Sequence, residues 1–326
     1  MKLAWQLVTF HSSPHLVKLL PALADQTLRD RVLFVRDHSG NATEQARVQE
    51  LLQASGLVYQ FEIGENVGFA RGHNALFSQH DAEYVALVNP DLMPEPTYYE
   101  ALVARLEADP SLGAVQGVLL RGTPDDPRGI DSLGLEVRGL GDVRDAGAGS
   151  PIEAWLNRRD PVSVYGVSGA ASVFRRASLM RASLDGSLMD ARFFLYKEDV
   201  ELALRLHRSG ARAELVPAAR SWHVRSVGRR GLIARFQDEF RRSPVVRVSS
   251  YANQWKIYLL HASCPPHWPS LRKTVFAELL RTFALLLSPK LFVRAWREIL
   301  RDALDLFKSR RALARTLIAS WHDPVR

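Results

Sequence analysis

The stretch VALVNPDLMPE at residues 85–95 joins an apolar run to a proline-stiffened turn that carries a carboxylate. The run Val85–Val88 has the length and composition of a strand covered on both faces. It ends in Asn89 and Asp91, which flank a proline. In sheets of parallel strands, ligands bind at the carboxyl ends of the strands. The stretch therefore predicts that Asp91 lies at a binding site.

The composition is that of a globular protein. The chain has 326 residues, 47% of them hydrophobic and 24% charged, which suits one large or two modest domains. The single cysteine, Cys264, excludes an internal disulfide and fits a reducing cytosol. No segment reaches the roughly 18–20 apolar residues of a membrane-spanning helix, and the N-terminal run suits a first strand better than a signal peptide. We expect a cytoplasmic protein.

Charge is unevenly distributed along the chain. Residues 1–225 contain 24 Lys and Arg and 28 Asp and Glu, a net charge of −4, whereas residues 226–326 contain 19 and 7, a net charge of +12, which together give the +8 of the whole chain. A basic tail on a mildly acidic body predicts an anionic partner: a membrane surface, a nucleic acid or a phosphorylated lipid.

The basic tail contains an amphipathic helical pattern. Apolar residues recur every three or four positions, and basic residues lie between them: Phe292, Trp296, Ile299, Ala303 and Phe307, with Arg294, Arg297, Arg301 and Lys308. Such a helix suits attachment to the inner face of the cell membrane. The same stripe also suits packing on the catalytic domain, and both interpretations stay open.

The first part of the chain alternates between strand and helix patterns. The expected elements are strands at Leu3–Phe10, Val32–Val35, Leu57–Ile63, Tyr84–Val88 and Ala114–Leu120, and helices at Pro14–Ala24, Thr43–Ala54 (with Thr43 as N-cap), Phe69–Gln79 and Tyr98–Glu107. This alternation predicts a Rossmann-like α/β fold, a mostly parallel sheet flanked by helices.

Beyond residue 120 the pattern is less regular. Residues 121–161 are rich in Gly, Pro and Asp, and we expect a loop with a small hairpin there. Strands are expected at Val162–Phe174 and Arg212–Val216, and a helix at Asp199–Ser209. From about residue 226 the pattern is helical, which predicts a C-terminal helical extension.

Five clusters of polar residues follow predicted strands or begin a helix. They are Thr9–Ser12, Arg36–Asn41, Glu65–Asn74, Asn89–Asp91 and Phe193–Glu201. The first three occupy predicted βα loops, so their side chains are expected to converge on one ligand. Asp91 suits a hard cation that completes its shell with phosphate oxygens, and the acids of the last cluster suit a general base. Each cluster alone also fits an ordinary turn or helix start.

Six segments together resemble the family 2 glycosyltransferases with a GT-A fold, especially the bacterial rhamnosyltransferase-like branch. They cover most of residues 1–228, in this order: VTFHS at 8–12, NVGFARGHN at 66–74, LVNPDLMPE at 87–95, GVSGAASVFRR at 166–176, FFLYKEDVELALRLHRSG at 193–210 and WHVRSVG at 222–228. The resemblance implies a catalytic domain at 1–228 and a helical region for the acceptor or the membrane at 229–326.

The resemblance also implies roles for single residues. Asp91 matches the metal-binding Asp, Asn89 replaces the first acid of that motif, and His223 matches a histidine that completes the metal shell in some relatives. Asp199 matches the proposed catalytic base, with Glu198 as its neighbour. The remaining donor-binding candidates are Thr9 at the base pocket, Arg71 near the nucleotide, and His11, Asn66, Gly68 and Asn74.

One position departs from the pattern of the family. Its members usually carry Asp-Asn after the second strand, where the Asp contacts the nucleobase, whereas this chain reads Arg36-Asp37. Two explanations are open: Asp37 takes the role after a one-residue shift, or the base is recognised differently.

The implied reaction is an inverting, Mg²⁺- or Mn²⁺-dependent sugar transfer. The expected donor is dTDP-rhamnose, and the acceptor is a saccharide, free or linked to polyprenyl pyrophosphate, in bacterial surface polysaccharide assembly. A UDP-hexose or another nucleotide sugar is the alternative donor. A non-catalytic nucleotide-sugar-binding relative would be expected to lack the acids at 91 and 199, and both are present.

Two other classes fit the sequence less well. A nicotinamide-dependent oxidoreductase predicts G-x-G-x-x-G after the first strand, where this chain reads HSSPHL. A nucleic-acid-binding protein predicts a recognisable module with basic and aromatic residues interleaved, and the sequence contains none. We therefore expect no nucleic-acid partner.

Overall fold

A computed structural model describes residues 1–139, 142–224, 243–261 and 268–316. The strands are β1 Leu3–Thr9, β2 Arg31–Asp37, β3 Tyr59–Ile63, β4 Tyr84–Val88, β5 Leu92–Pro94, β6 Leu112–Thr123, β7 Asp126–Ser132, β8 Leu135–Gly139, β9 Asp142–Asp145, β10 Val162–Val164, β11 Ser172–Arg175 and β12 Arg212–His223. The helices are α1 Ser13–Ala24, α2 Ala42–Ala54, α3 Phe69–Phe77, α4 Tyr98–Ala108, α5 Glu153–Leu156, α6 Arg176–Ala182, α7 Glu198–Arg208, α8 Pro244–His261, α9 Trp268–Leu286 and α10 Pro289–Thr316. Cys264 and the predicted domain boundary at 228/229 lie outside the described residues.

The predicted α/β fold is confirmed, around one central mixed sheet. Its strand order is β10-β12-β6-β11-β4-β1-β2-β3, with β5 beside β12 and β7 beside β6. Strands β4, β1, β2 and β3 are parallel to their neighbours in that run, and β6 is parallel to β12. Strand β11 enters antiparallel between β4 and β6. The parallel expectation therefore holds for the first βα units, and the later strands make the sheet mixed.

Helices cover both faces of the sheet, which explains why β4 is apolar throughout. Ala86 and Val88 pack in a core cluster with residues of α1, α2 and α4. Val85 and Leu87 point the other way, into a cluster with residues of α3, α6 and α7. Successive side chains of a strand alternate between faces, so a strand covered on both sides needs apolar residues at every position.

Three predicted elements differ from the structure. Val162–Phe174 is not one strand: β10 and β11 are separate, and β12 and β6 lie between them in the sheet. The strand predicted at Arg212–Val216 continues to His223 past a register shift between Val216 and Arg220. The N-cap of α2 is Asn41, whose side chain accepts a hydrogen bond from the Glu44 amide, rather than Thr43.

The segment predicted as an irregular loop at 121–161 is more ordered than expected. Strand β6 extends to Thr123 and turns back into β7, and β8 and β9 form a second, separate hairpin. The predicted small hairpin is therefore confirmed, and the β6–β7 hairpin is added to it. This extra hairpin places Asp131 beside the carboxyl end of β12.

The amphipathic stripe in α10 packs inward along most of its length. Ile299 is 3% exposed, and Phe292 and Trp296 are partly buried against a cluster that includes Tyr251 and Ala252 of α8. Only Phe307, 42% exposed, lies at the surface. These three residues therefore pack within the C-terminal helices, and packing of the stripe on the catalytic domain stays a prediction. Among the described residues, no helix is long and apolar enough to cross a membrane.

Candidate active site

Asp91 lies where the sequence predicted it, just beyond the carboxyl end of β4. Strand β5 follows at once and pairs antiparallel with β12, which brings Leu92 opposite His223. The Asp91 carboxylate Oδ1 is 3.0 Å from His223 Nε2, and the backbone amide of Val224 donates to the Asp91 carbonyl at 3.0 Å. The two predicted metal ligands are therefore neighbours, although 132 positions separate them in the chain.

A second carboxylate fixes the orientation of His223. Asp131 Oδ2 lies 2.9 Å from His223 Nδ1, and both side chains are 1% exposed. Arg121 in turn donates to Asp131 Oδ1 at 3.1 Å. A carboxylate on Nδ1 fixes the orientation of the ring and leaves Nε2 facing Asp91, a pattern typical of histidines that bind metals. The sequence alone did not identify Asp131.

The donor set at this point suits a divalent cation. Asp91, 23% exposed, offers carboxylate oxygen, and His223 offers an oriented imidazole nitrogen. Two protein ligands leave most of the coordination shell to water or phosphate oxygens, the arrangement that Mg²⁺ and Mn²⁺ accept beside nucleotides. The described residues contain no group of three or more His, Cys, Asp or Glu side chains placed to enclose a metal.

Asp199 and Asn89 are linked through two consecutive backbone groups. The backbone amide of Asn89 donates to the Ala170 carbonyl at 2.9 Å, and the backbone amide of Gly169 donates to Asp199 Oδ2 at 3.1 Å. A Cβ at position 169 would lie 3.2 Å from the Cβ of Asp199, so a glycine there allows the close approach. The loop before β11 therefore joins the carboxyl end of β4 to the first turn of α7.

Glu198 differs from its neighbour Asp199 in its environment. Its side chain is buried, and Oε2 has no hydrogen-bond partner among the described residues. Burial, and secondly the nearby Asp199 charge, raise the pKa of Glu198 to about 8. Glu198 is therefore largely protonated at neutral pH, and the two adjacent acids do not carry two full charges.

The structure brings Thr9 and Asp37 together at the ends of β1 and β2. The strand register pairs the two residues, and Thr9 Oγ1 donates to Asp37 Oδ2 at 2.7 Å. Both are fully buried. Arg36 has different partners, an ion pair with Glu62 and a hydrogen bond to His38. Asp37, not Arg36, thus occupies the place beside Thr9, and its contact with a nucleobase stays a prediction.

His11 stands at the same end of the sheet. It is exposed, it has a left-handed φ of 51°, and its ring packs edge-on against Phe10 at 4.6 Å between centroids. Non-glycine residues adopt this backbone conformation uncommonly, and such residues cluster at functional sites. The donor-binding role of His11 stays a prediction.

The candidates on α3 support the segment that leads to Asp199. The Asn74 amide donates to the Met189 carbonyl, and its oxygen accepts from the Met189 amide, both at 2.8 Å. Arg71 Nε donates to the Ala191 carbonyl at 2.8 Å. The side chain of Asn74 is thus engaged at both ends with protein, which favours a supporting role over the predicted contact with the donor.

Gly68 and Asn66 form the turn that begins α3. Asn66 Oδ1 accepts from the Gly68 amide at 3.1 Å. Gly68 has a φ of 87°, and a Cβ there would lie 2.3 Å from the Phe194 carbonyl oxygen. Because this carbonyl also accepts from the Phe69 amide at 2.8 Å, the close approach needs glycine. Donor contact by Asn66 and Gly68 stays a prediction.

The Asp91–His223 pair lies at the carboxyl ends of sheet strands, where open α/β sheets bind their ligands, and Asp199 in the first turn of α7 is linked to the same edge. The comparison with known families agrees. The sequence profile of Glycosyl transferase family 2 matches residues 7–181, more than half of the chain. The chain belongs to this family, in its rhamnosyltransferase-like branch, and is a glycosyltransferase.

Similar proteins point to the same branch and fold. The chain is 30% identical over 248 residues to N-acetylglucosaminyl-diphospho-decaprenol L-rhamnosyltransferase of Mycobacterium tuberculosis, across 68% of this chain and 76% of that protein. A crystal structure of GalNAc-T7 with UDP, GalNAc and Mn²⁺ aligns with a TM-score of 0.57 at 12% identity, over 80% of this chain and 48% of that one. A structure of S. aureus TarS 1–349 covers 96% of this chain with a TM-score of 0.49. The GalNAc-T7 likeness confirms the GT-A fold.

The raised pKa of Glu198 predicts how the stability of the protein varies with pH. At pH values between the ordinary pKa of 4.5 and the folded-state pKa of about 8, Glu198 has lost its proton in the unfolded chain and keeps it in the folded protein. The unfolded state then binds fewer protons, so this residue makes the folded protein less stable as the pH rises through that window. Glu198→Gln removes the effect, and its stability relative to the parent should improve by about 4 kcal/mol from about pH 5 to about pH 8.

Chemical denaturation of both proteins at several pH values measures the difference. Glu65→Gln, at an exposed glutamate, is the matched control and should show no pH-dependent change relative to the parent. A difference between Glu198→Gln and the parent that stays constant with pH would contradict the buried, protonated state of Glu198.

Proposed function

We propose that the protein transfers rhamnose from dTDP-rhamnose, with inversion, to a hydroxyl of a lipid-linked saccharide. The observation that carries the chemistry is the backbone link that holds Asp199 and the Asn89–Asp91 turn at one edge of the sheet. The donor is supported by the M. tuberculosis relative, whose name states an L-rhamnosyltransferase. Assembly of a bacterial surface polysaccharide is the process in which such a product is used.

In the proposed reaction Asp199 is the general base. The hydrogen bond from Gly169 holds its carboxylate in place, and its side chain is only partly buried, so an acceptor has access to it. The acceptor oxygen forms a bond to the anomeric carbon, its proton passes to Asp199, and the bond to the diphosphate breaks on the opposite face. A single displacement of this kind inverts the configuration at the anomeric carbon.

Glu198 has a different part in this proposal. Because it is largely protonated at neutral pH, it adds little negative charge beside Asp199. Pairs of acids whose environments separate their pKa values are typical of sites that need one base and one neutral acid. Asp199 alone then takes the proton, and Glu198 limits the charge that builds up next to it.

Asp91 and His223 would hold the divalent metal, Mg²⁺ or Mn²⁺, with Asp131 orienting the histidine. A bound cation supplies positive charge beside the diphosphate as negative charge develops on it. The chemistry of this donor set supports the assignment, and the structure of GalNAc-T7, which shares the fold, contains Mn²⁺. Thr9, Asp37 and His11 would line the nucleotide site at the ends of β1 and β2.

The M. tuberculosis relative supports the proposed acceptor, and the charge of the C-terminal region supports the proposed location. Its name describes a GlcNAc-diphospho-decaprenol acceptor, and we propose a polyprenyl-pyrophosphate-linked saccharide here. The net charge of +12 over residues 226–326 supports a peripheral position on the inner face of the cell membrane. In this proposal, residues 1–228 form the catalytic domain and residues 229–326 serve the acceptor and the membrane.

Nucleotide binding tests the proposal directly. With Mn²⁺, dTDP should stabilise the parent by about 2.7 kcal/mol at one hundred times its dissociation constant, and EDTA should abolish the shift. Asp91→Ala should lose the metal-dependent shift because its metal ligand is gone. Asp126→Ala, at an exposed acid on β7, is the matched control and should keep it. Thermal unfolding with dTDP, UDP and GDP measures all of these.

Other outcomes of this experiment select the alternatives. A shift with UDP alone identifies a UDP-sugar such as a UDP-hexose as the donor. A shift with dTDP in a protein that transfers no sugar identifies a non-catalytic nucleotide-sugar-binding protein. No shift with any nucleotide contradicts the proposed donor site, and equal shifts in the parent and in Asp91→Ala contradict the metal assignment.

A further inference from the structure

Helix α9 presents a continuous apolar face to solvent. The residues of this face and Leu287 just after the helix, here called the α9 face, are 42–63% exposed and recur every three or four residues: Phe276, Leu279, Leu280, Phe283, Leu286 and Leu287. The opposite side of the helix is buried at Thr274, Ala284 and Leu285. Soluble monomers rarely expose large apolar side chains in such a run, and a surface of this kind marks an interaction site.

Helix α10 adds a second exposed apolar stripe with basic residues around it. Four side chains that are 42–75% exposed form the stripe: Val293, Leu300, Leu304 and Phe307. Six exposed cations lie on the same helix: Lys290, Arg294, Arg297, Arg301, Lys308 and Arg311. Long basic side chains beside an apolar surface place their stems on it and their charges at its rim. The exposed surface of α9 and α10 therefore combines apolar area with positive charge.

We propose that the α9 face, with the basic rim of α10, binds the surface of an anionic phospholipid bilayer. Apolar side chains that enter the headgroup region and cations that meet anionic headgroups both favour this occupant. A second copy of the chain would bring the same cations against each other, so charge favours the lipid. The inference deepens the proposed function, because a lipid-linked acceptor lies in such a surface.

Flotation with vesicles tests the surface without any substrate. The parent should float with vesicles of equal parts phosphatidylglycerol and phosphatidylcholine, and much less with pure phosphatidylcholine. The double variant Leu279→Glu/Phe283→Glu should bind at least about tenfold more weakly, since it places charge in the apolar face. The control Val17→Glu/Val58→Glu carries the same change at residues 52% and 70% exposed on the catalytic part and should bind like the parent.

Two results would overturn the proposal. One is equal flotation of the parent and the double α9 variant. The other is a parent that stays unbound and forms a dimer in light scattering that the α9 variant loses, which assigns the face to a second copy. Nucleotide binding is measured on the same proteins. A parent that binds dTDP but no vesicles contradicts only the membrane surface, whereas a parent that binds no nucleotide contradicts the proposed function.

A different observation concerns the segment before Asp199. Tyr196 and Lys197 both have a φ of 68°, and neither is glycine. Consecutive residues in the left-handed region are unfavourable and persist only where the surroundings hold them. Asn253 of α8, 1% exposed, donates from Nδ2 to the carbonyls of Leu195 at 3.0 Å and of Tyr196 at 2.8 Å. The side chain of Asn253 thus holds the left-handed turn that begins α7.

Lys256, one turn further along α8, holds the same segment. Its Nζ donates to the Arg192 carbonyl at 2.6 Å and pairs with Asp302 of α10 at 2.7 Å. We infer that Asn253 is a positioning residue for Asp199: α8 fixes the turn, and the turn fixes the first residues of α7. This inference rests on the proposed role of Asp199 as the base.

Asn253→Asp tests the inference, because it keeps the shape but replaces the amide donor with a carboxylate facing two carbonyls. Turnover should fall by about tenfold or more with the donor KM unchanged, since misplacing a base by about 1 Å costs rate rather than donor binding. Tyr251→Phe, on the same helix as Asn253, is the matched control: it removes the hydrogen bond between the hydroxyls of Tyr251 and Thr282 of α9 and should keep turnover. Asn253→Ser retains one hydrogen-bond donor, and its turnover should lie between those of Asn253→Asp and Tyr251→Phe.

Amide hydrogen exchange supplies a readout that does not need turnover. Exchange over residues 193–200 should accelerate in Asn253→Asp and stay unchanged in Tyr251→Phe. Unchanged exchange together with turnover within about twofold of the parent would overturn the inference. If exchange is faster in Asp199-adjacent residues of Asn253→Asp but substitution of Asp199 itself leaves turnover intact, the proposed role of Asp199 as the base is contradicted, and the positioning of the turn by Asn253 is not.

Discussion

The site depends on how residues 189–197 are held. This segment lies between α6 and α7 and contains no helix or strand, so its buried backbone groups need partners from other elements. The Asn74 side chain makes hydrogen bonds to both the amide and the carbonyl of Met189, and the backbone amide of Phe69 donates to the carbonyl of Phe194. From the other side, Asn253 holds the carbonyls of Leu195 and Tyr196. Helices from both halves of the chain thus position Asp199.

The two carboxylates of the proposed chemistry are supported in different ways. Asp91 stands between two short strands, and its partner His223 ends β12, so regular hydrogen-bonded structure sets their distance. Asp199 stands at the start of a helix after a left-handed turn and depends on side chains from α3 and α8. Groups held by strands are more rigid than groups held by loops. Rigid support suits Asp91 as the proposed metal ligand. Support by a loop suits Asp199 as the proposed base, which must meet the acceptor.

The sequence predicted the parts of the site that follow from local pattern. Alternating strands and helices placed Thr9, Asp37 and Asp91 at one edge of the sheet, because parallel strands end on the same side. The helix expected from Asp199 was also nearly right and begins one residue earlier, at Glu198. These predictions needed only periodicity, turn residues and the resemblance to a family.

The parts that were missed depend on contacts between distant residues. Asp131 meets His223 across 92 positions, and Asn253 meets Leu195 and Tyr196 across 58 and 57. No local pattern marks a carboxylate that will orient a histidine or an amide that will hold a turn. The stripe of α10 was ambiguous for a similar reason: amphipathicity shows that one face is apolar, but only packing shows that α8 covers it.

A single-turnover measurement of rhamnosyl transfer tests the central claim most directly. Parent and Asp199→Asn are each mixed with dTDP-rhamnose, Mn²⁺ and a GlcNAc-diphospho-lipid acceptor, and the rate and the anomeric configuration of the product are followed. The account predicts an inverted product and a rate about 10²- to 10⁴-fold lower in Asp199→Asn, with the dTDP-induced stabilisation retained. Equal rates in the two proteins, or a product of retained configuration, would contradict it.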